Sequence, residues 1–412
     1  MGNSVYPVPS AGASYSSQPP ATASSVLLDG QLINSVSYST SVTGTGAPWL
    51  LYANGSSTTT FTVGANNYTV TAGSTVGTSA FTGSQSVSVS TTAPAPTPFT
   101  SMTMPDSTVA WGDVTYGSGK FVATGSNVLT STFLGGYSTN GISWSLTGTL
   151  PNYSTSFWRG LSNGNGTFIT LGGNGGGITT YGVYSTNGTS WTQMTLPGSY
   201  ITYNKSAYGT ISGTGYFVII SSGSTAGGYS TNGYTWTAST MPSSQYWASV
   251  TYGNGTFVAV ALSANGAYST NGTSWTTNTM NSTAVNWTAI GYGNGIFVAA
   301  ATNSTTGGYS SNGVTFSAMT MPSASGWNSI SYGGGYFVAV QSSGTTAFAY
   351  STNGTTWTTG TMPSSDYWNG SAYGNGTFVA LNANSNNATS AYFKLIPNPV
   401  AYGIYNGATV RA

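Results

Sequence analysis

Nine charged side chains carry whatever acid–base or ionic chemistry this 412-residue chain can do: Asp29, Asp106, Asp113 and Asp366 against Lys120, Arg159, Lys205, Lys394 and Arg411. It has no His, no Cys and no Glu. General acid–base catalysis mostly draws on His or on paired carboxylates, and the four aspartates fall in unrelated contexts. A Ser or Thr nucleophile would have no His or Glu base beside it. The Gly-rich turns, such as the one between Tyr332 and Phe337, lack the Lys-Ser/Thr of a phosphate-binding loop. Without Cys there are no disulfides or thiolate metal sites, and only a weak Ca²⁺ site of aspartate and carbonyl oxygens stays open. The expectation is a protein that is not an enzyme, with no cofactor and no metal. With 2% charged residues it also lacks a basic footprint for nucleic acid and a polybasic membrane anchor. No run of eighteen apolar residues occurs, so no membrane insertion is expected.

The elements that must position these few groups are written in the aromatic residues, 14% of the chain. A unit of about forty residues stands out between Trp247 and Pro322, where it appears almost twice. It reads Trp-x-x-Val-x-Tyr-Gly, then Asn-Gly-Thr-Phe-Val-Ala, then Ala-Tyr-Ser-Thr-Asn-Gly-x-x-Trp, and ends at Met. Period-two alternation of aromatic and β-branched residues predicts four strands per unit, A to D. The Asn-Gly between C and D predicts a tight hairpin with both turn residues at positive φ.

The Gly-x-Phe hairpin occurs seven times, at Phe121, Phe168, Phe217, Phe257, Phe297, Phe337 and Phe378. The Asn-Gly turn occurs six times, at Asn140, Asn187, Asn232, Asn271, Asn312 and Asn353. The mismatch has a circular solution. Phe99 precedes Met104 by the same five residues that separate Trp357 from Met362, so residues 99–105 read as a stray strand D. That strand completes the seventh unit, which otherwise lacks its own. The expected fold is all-β: a seven-bladed β-propeller closed by an N-terminal strand, preceded by a small β domain and an extended N-terminal arm.

The stretch Tyr-Ser-Thr-Asn-Gly-Thr-Ser-Trp at 268–275 resembles the Asp-box, or BNR, repeat of sialidase-like propellers. The family pattern is Ser-x-Asp-x-Gly-x-x-Trp; here Asn replaces Asp and the spacer before Gly is missing. Paired with Tyr-Gly-x-Gly-x-Phe-Val-Ala, this shortened form looks like repeats of phage tail-fibre and other virion surface proteins. The resemblance covers residues 99 to about 396 and speaks for the fold, because Asp-boxes are turn devices. Sialidase chemistry, as the resemblance implies it, needs an arginine triad, an acidic Asp and a Tyr activated by Glu. This chain has two arginines and no Glu.

In a four-stranded meander the A–B and C–D turns share one face of the ring, and the B–C and D–A connections share the other. The first pair hardly varies here. The B–C loops differ in every unit (124–136, 171–183, 220–228, 261–266, 301–308, 341–349 and 381–390), which makes theirs the candidate binding face. Each unit opens there on an aromatic: Trp111, Trp158, Tyr203, Trp247, Trp287, Trp327 and Trp368. Regular recurrence favours packing between blades for this ring, and the competing reading is a stacking platform for sugars. Residues that break the repeat rank higher as ligand contacts. The candidate set is Asp113, Trp158, Arg159, Tyr246, Trp247, Asp366, Tyr367 and Trp368.

The remaining chain divides into a Ser/Pro-rich arm at 1–25, a small β anchoring domain at 26–90, a Pro-rich linker at 91–98, the propeller at 99–396 and a tail at 397–412. The start of the chain has no cationic region followed by an apolar run, so no secretory signal is expected. A component of a phage particle needs none, since lysis releases it. The expectation is therefore a non-enzymatic virion surface protein, a receptor-binding fibre or spike. Residues 1–96 would dock to other virion proteins and the propeller would bind host-surface polysaccharide. The alternative is a capsid or tail decoration protein without a specific receptor. A homo-oligomer is compatible with the residues, and nothing in them requires one.

Overall fold

The computed structural model describes residues 98–395 except 128–131, 152–156, 174–178, 264, 283–284 and 385–388, together with the strands 38–45, 49–54, 59–63, 66–70, 75–77, 82–91 and 401–406 outside that stretch. Every regular element described is a β-strand. The chain forms two bodies, Pro96–Lys394 and the combination of Met1–Ala95 with Leu395–Ala412. The arm at 1–25 and nearly all of the linker at 91–98 lie outside the described residues.

The body made from both chain ends holds two antiparallel sheets. One runs in the order Tyr38–Thr45, Thr82–Thr91, Thr59–Val63, Asn66–Val70, and the other in the order Ala401–Asn406, Trp49–Asn54, Thr75–Gly77. Within the tail expected at 397–412, residues 401–406 are thus a strand. Ala401–Asn406 pairs antiparallel along the whole of Trp49–Asn54. No turn signal in the sequence links these segments, because about 350 residues of chain separate them, and loop-closure cost grows only slowly with length.

The larger body is an all-β propeller. Seven separate four-stranded blades are expected from the repeats; the ring instead contains six sheets, five of four strands and one of six. The six-stranded sheet carries repeats 3 and 4. Its strands Thr214–Ser230 and Thr237–Gly253 are each 17 residues long, and each does the work of two. The ladder continues through the corner, where Ser222 pairs with Tyr246. At the equivalent corners of later repeats the extended run stops for one residue, Gly326 between Ser325 and Trp327, and Tyr367 between Asp366 and Trp368. The last sheet takes Thr100–Thr103 as its outer strand, antiparallel to Thr389–Lys394.

Two aromatic devices recur around the ring. Within a repeat, the strand A Tyr faces the strand B Phe across the ladder, as in Tyr252–Phe257 with ring centroids 4.8 Å apart. Between repeats, the same Tyr lies over the Gly that follows the strand A Tyr of the preceding repeat. Tyr252 covers Gly209, Tyr292 covers Gly253, Tyr332 covers Gly293, Tyr373 covers Gly333 and Tyr116 closes the circuit on Gly374. A Cβ at any of these glycines would overlap the ring, which is why Tyr and Gly recur as a pair.

The two kinds of turn divide the labour differently from the expectation. Both-positive φ occurs at the A–B turns, for example Asn254 (45°) and Gly255 (73°). At the C–D turns only the Gly is positive, Gly272 at 74°. There the Asn works through its side chain. Asn271 Oδ1 accepts the amides of Thr273 and Ser274 at 3.0 and 2.9 Å, while Ser269 Oγ accepts that of Gly272 at 2.9 Å.

Candidate functional site

The site is built on the first residues of strand A, where the ladder to strand B slips by one residue. The slip falls between Trp111 and Asp113, Tyr203 and Lys205, Trp247 and Ser249, Trp287 and Ala289, Trp327 and Ser329, and Trp368 and Gly370. A β-bulge leaves one residue out of the ladder and re-aims its neighbours. In this ring the released polar side chains reach the next repeat. Asn204 Nδ2 donates to the Trp247 carbonyl at 3.2 Å, Thr288 Oγ1 to the Trp327 carbonyl and Asn328 Nδ2 to the Asn369 carbonyl at 2.7 Å.

Repeats 1 to 3 place charge at these positions. Asp113 Oδ2 accepts the amides of Gly160 and Leu161 at 2.8 and 3.2 Å, and the Lys205 ammonium at 3.3 Å. It thereby caps the bulge of repeat 2, where Gly160 sits at φ 64° with no room for a Cβ beside the Lys205 backbone. Arg159 Nη1 donates to Asn204 Oδ1 at 3.4 Å, and Ser206 Oγ donates to Ser162 Oγ at 2.7 Å. Asp113, Arg159, Asn204 and Lys205 therefore form one cluster across three strands, with two cations and one anion. The Arg159 side chain is exposed, while the Asp113–Lys205 pair is mostly shielded.

Other expected residues fall elsewhere. Trp158, Trp247 and Trp368 are buried, with Trp247 and Trp368 at 0% exposure, as are Trp111, Tyr203, Trp287 and Trp327. The stacking platform is thus corrected to packing. Each ring fills the space between strand A and its neighbours, as Trp247 does among Val218, Val250 and Phe257. Asp366 is also buried and structural, its Oδ1 accepting from Asn384 Nδ2 at 3.2 Å and from the Tyr367 amide at 3.3 Å. It does not join Asp113. Tyr246 and Tyr367 stand out from two D–A corners, 61% and 52% exposed.

Lys205 and Asn204 are the members that the sequence reading missed. Aligning the repeats on their first aromatic puts Lys205 in the column of Asp113, two residues after Tyr203 as Asp113 is after Trp111. Among the described residues no three acidic, His or Cys side chains come together.

No protein-family model matches the chain, and no curated protein matches it. Solved structures do. Virginiamycin B lyase from Staphylococcus aureus superposes with a TM-score of 0.61 at 11% identity, over 72% of this chain and 99% of that one. A streptogramin B lyase gives 0.60 at 12%, over 72% and 97%. YCF48 from Cyanidioschyzon merolae gives 0.51 at 14%, over 72% and 98%. At these identities the likeness shows the propeller fold alone, one shared by proteins described as enzymes and by others that are not.

Proposed function

We propose that the chain is a non-enzymatic binding propeller of a virion surface, recognising a bacterial surface glycan at the face where the A strands begin. In this reading the seven sequence repeats act as seven blades, two of them sharing the six-stranded sheet. The body formed by residues 1–95 and 395–412 docks to other virion proteins. The observation that carries the binding role is the cluster of Asp113, Arg159, Asn204 and Lys205, which unites three of the chain's nine charges. A carboxylate holds the lysine, and the exposed Arg159 guanidinium is of the chemical type that recognises a hydroxyl or carboxylate. Tyr246 and Tyr367 add exposed aromatic surface at corners of the same face.

The composition supports a role without catalysis. One structural neighbour is a catalytically inactive His-to-Ala variant of virginiamycin B lyase, and this chain has no His to play such a part. The Asp-box resemblance supports the virion assignment.

The test is binding of the full chain to arrayed bacterial polysaccharides and to whole bacterial cells. Arg159→Ala is expected to weaken binding by about 10- to 100-fold, the worth of one charge-assisted hydrogen bond of about 1.5–3 kcal/mol. Tyr246→Ala should weaken it less. No binding to any cell or glycan, or binding untouched by both substitutions, overturns the receptor reading and leaves a decoration protein.

A further inference from the structure

A second feature lies away from that cluster, at the turn between strands C and D of repeat 3. A groove of about 560 Å³ runs between this turn and strand D of repeat 2, within the roughly 300–1,000 Å³ of small-ligand sites. Its aromatic wall is Tyr184, Tyr234 and Trp236, and its polar edge is Gln193, Thr195 and Thr235. Among the described residues no charged side chain lines it.

The wall is pre-set. Tyr184 and Tyr234 lie face to face at a tilt of 31°, their centroids 4.9 Å apart. The Tyr234 amide is fixed by Asn232 Oδ1 at 3.0 Å, and Trp236 Nε1 points to Met194 Sδ at 3.2 Å. Tyr234 is nevertheless 45% exposed.

Comparison among the repeats isolates what is special. The position of Tyr234 is held by Ile142, Thr189, Thr273, Val314 and Thr355 in the other turns. Repeats 5 and 6 reproduce the indole–thioether contact, with Trp357 Nε1 3.3 Å from Met319 Sδ. They have Thr355 where Tyr234 stands and Ala318 where Gln193 stands. The fold therefore does not need the tyrosine or the glutamine. Both face one groove, and both are absent from its counterpart.

We propose that this groove binds a neutral saccharide. A pyranose has an apolar C–H face that packs on aromatic rings and a rim of hydroxyls that pair with amide and hydroxyl groups. The uncharged lining suits a neutral sugar, because an acidic one would be desolvated here without a counter-charge. The amide of Gln193 and the hydroxyls of Thr195 and Thr235 give the edge a polar character that suits the hydroxyl rim of a sugar better than a purely aliphatic ligand. The inference does not rest on the receptor reading, which concerns other residues at the start of the A strands.

The test is calorimetric titration of the full chain with neutral tetrasaccharides built from glucose, mannose, galactose or N-acetylglucosamine. At least one is expected to bind with Kd below about 10 mM. Tyr234→Thr, the residue repeat 6 uses, should fold normally and lose about tenfold in affinity, while Tyr234→Phe keeps it. Gln193→Ala should also weaken binding. Absence of binding by all four sugars, or binding unchanged in Tyr234→Thr, overturns the proposal. So does self-association of the wild type that Tyr234→Thr abolishes without any sugar binding, which would assign the groove to a second copy of the chain.

Discussion

The side chain of Asn353 takes two backbone amides, those of Thr355 and Thr356, each at 2.9 Å. Ser351 Oγ takes the amide of Gly354 at 2.8 Å and also donates to Asn353 Oδ1. The same set recurs at Asn140, Asn187, Asn232 and Asn312, so the motif is a turn cap and its recurrence is structural. Both amides go to the Asn oxygen, and a carboxylate oxygen would serve as well. Asn353→Asp is therefore expected to leave stability within about 0.5 kcal/mol, whereas Asn353→Ala should cost about 1 kcal/mol, read from urea unfolding. Equal losses in the two variants would contradict the cap.

Ring closure belongs to the scale of elements. Thr100–Thr103 is a short strand, yet it is fastened on two sides. It pairs with Thr389–Lys394, and the Phe99 amide donates to the Thr361 carbonyl of repeat 6 at 3.1 Å. The Phe99 ring packs edge-on against Phe348 of repeat 6 at 4.9 Å and near Phe393 of repeat 7 at 5.9 Å. Met102 and Met104 are buried in the core cluster that also holds Val109, Trp111 and Val379. Phe99→Ala should cost about 3–5 kcal/mol of propeller stability. Deleting residues 99–103 should bare the Thr389–Lys394 edge and cause self-association visible in size-exclusion chromatography. A monomer of unchanged stability after that deletion would mean that the seam is closed by something else. This strand was legible because one spacing, Phe99 to Met104, repeats that of Trp357 to Met362. The partner of Ala401–Asn406 had no such marker.

At the scale of the whole molecule, the scarcity of charge sets the response to solvent. No His or Cys is present, so no side chain ordinarily titrates between pH 5.5 and 8. Melting, followed by the fluorescence of tryptophans that all but Trp49 lie in the propeller body, should be nearly flat across that range and nearly independent of salt. Alkali is different. Burial raises the pKa of Tyr203, Tyr332, Tyr336 and Tyr373 above the ordinary 10.0, with a further push on Tyr336 from Tyr350. The folded chain then keeps protons that the unfolded chain releases, so stability is intact below pH 10 and falls as pH rises beyond it. A melting temperature that fell between pH 6 and 8, or held constant past pH 11, would contradict this account.

The sequence by itself determined what depends on near neighbours. Alternation, the Gly-x-Phe hairpins, the Asn-Gly turns and the spare strand at residues 99–105 pointed to a propeller, because strand and turn preferences are expressed within a few residues. The tertiary structure decided what depends on which repeats touch. It buried the Trp ring, fused repeats 3 and 4 at the unbroken corner around Tyr246, and recruited Ala401–Asn406 to the terminal body. It also brought Lys205 to Asp113 across 92 residues of chain and laid Tyr234 on Tyr184. Those contacts exist only when the ring sets one repeat beside the next, and no spacing along the chain encodes them.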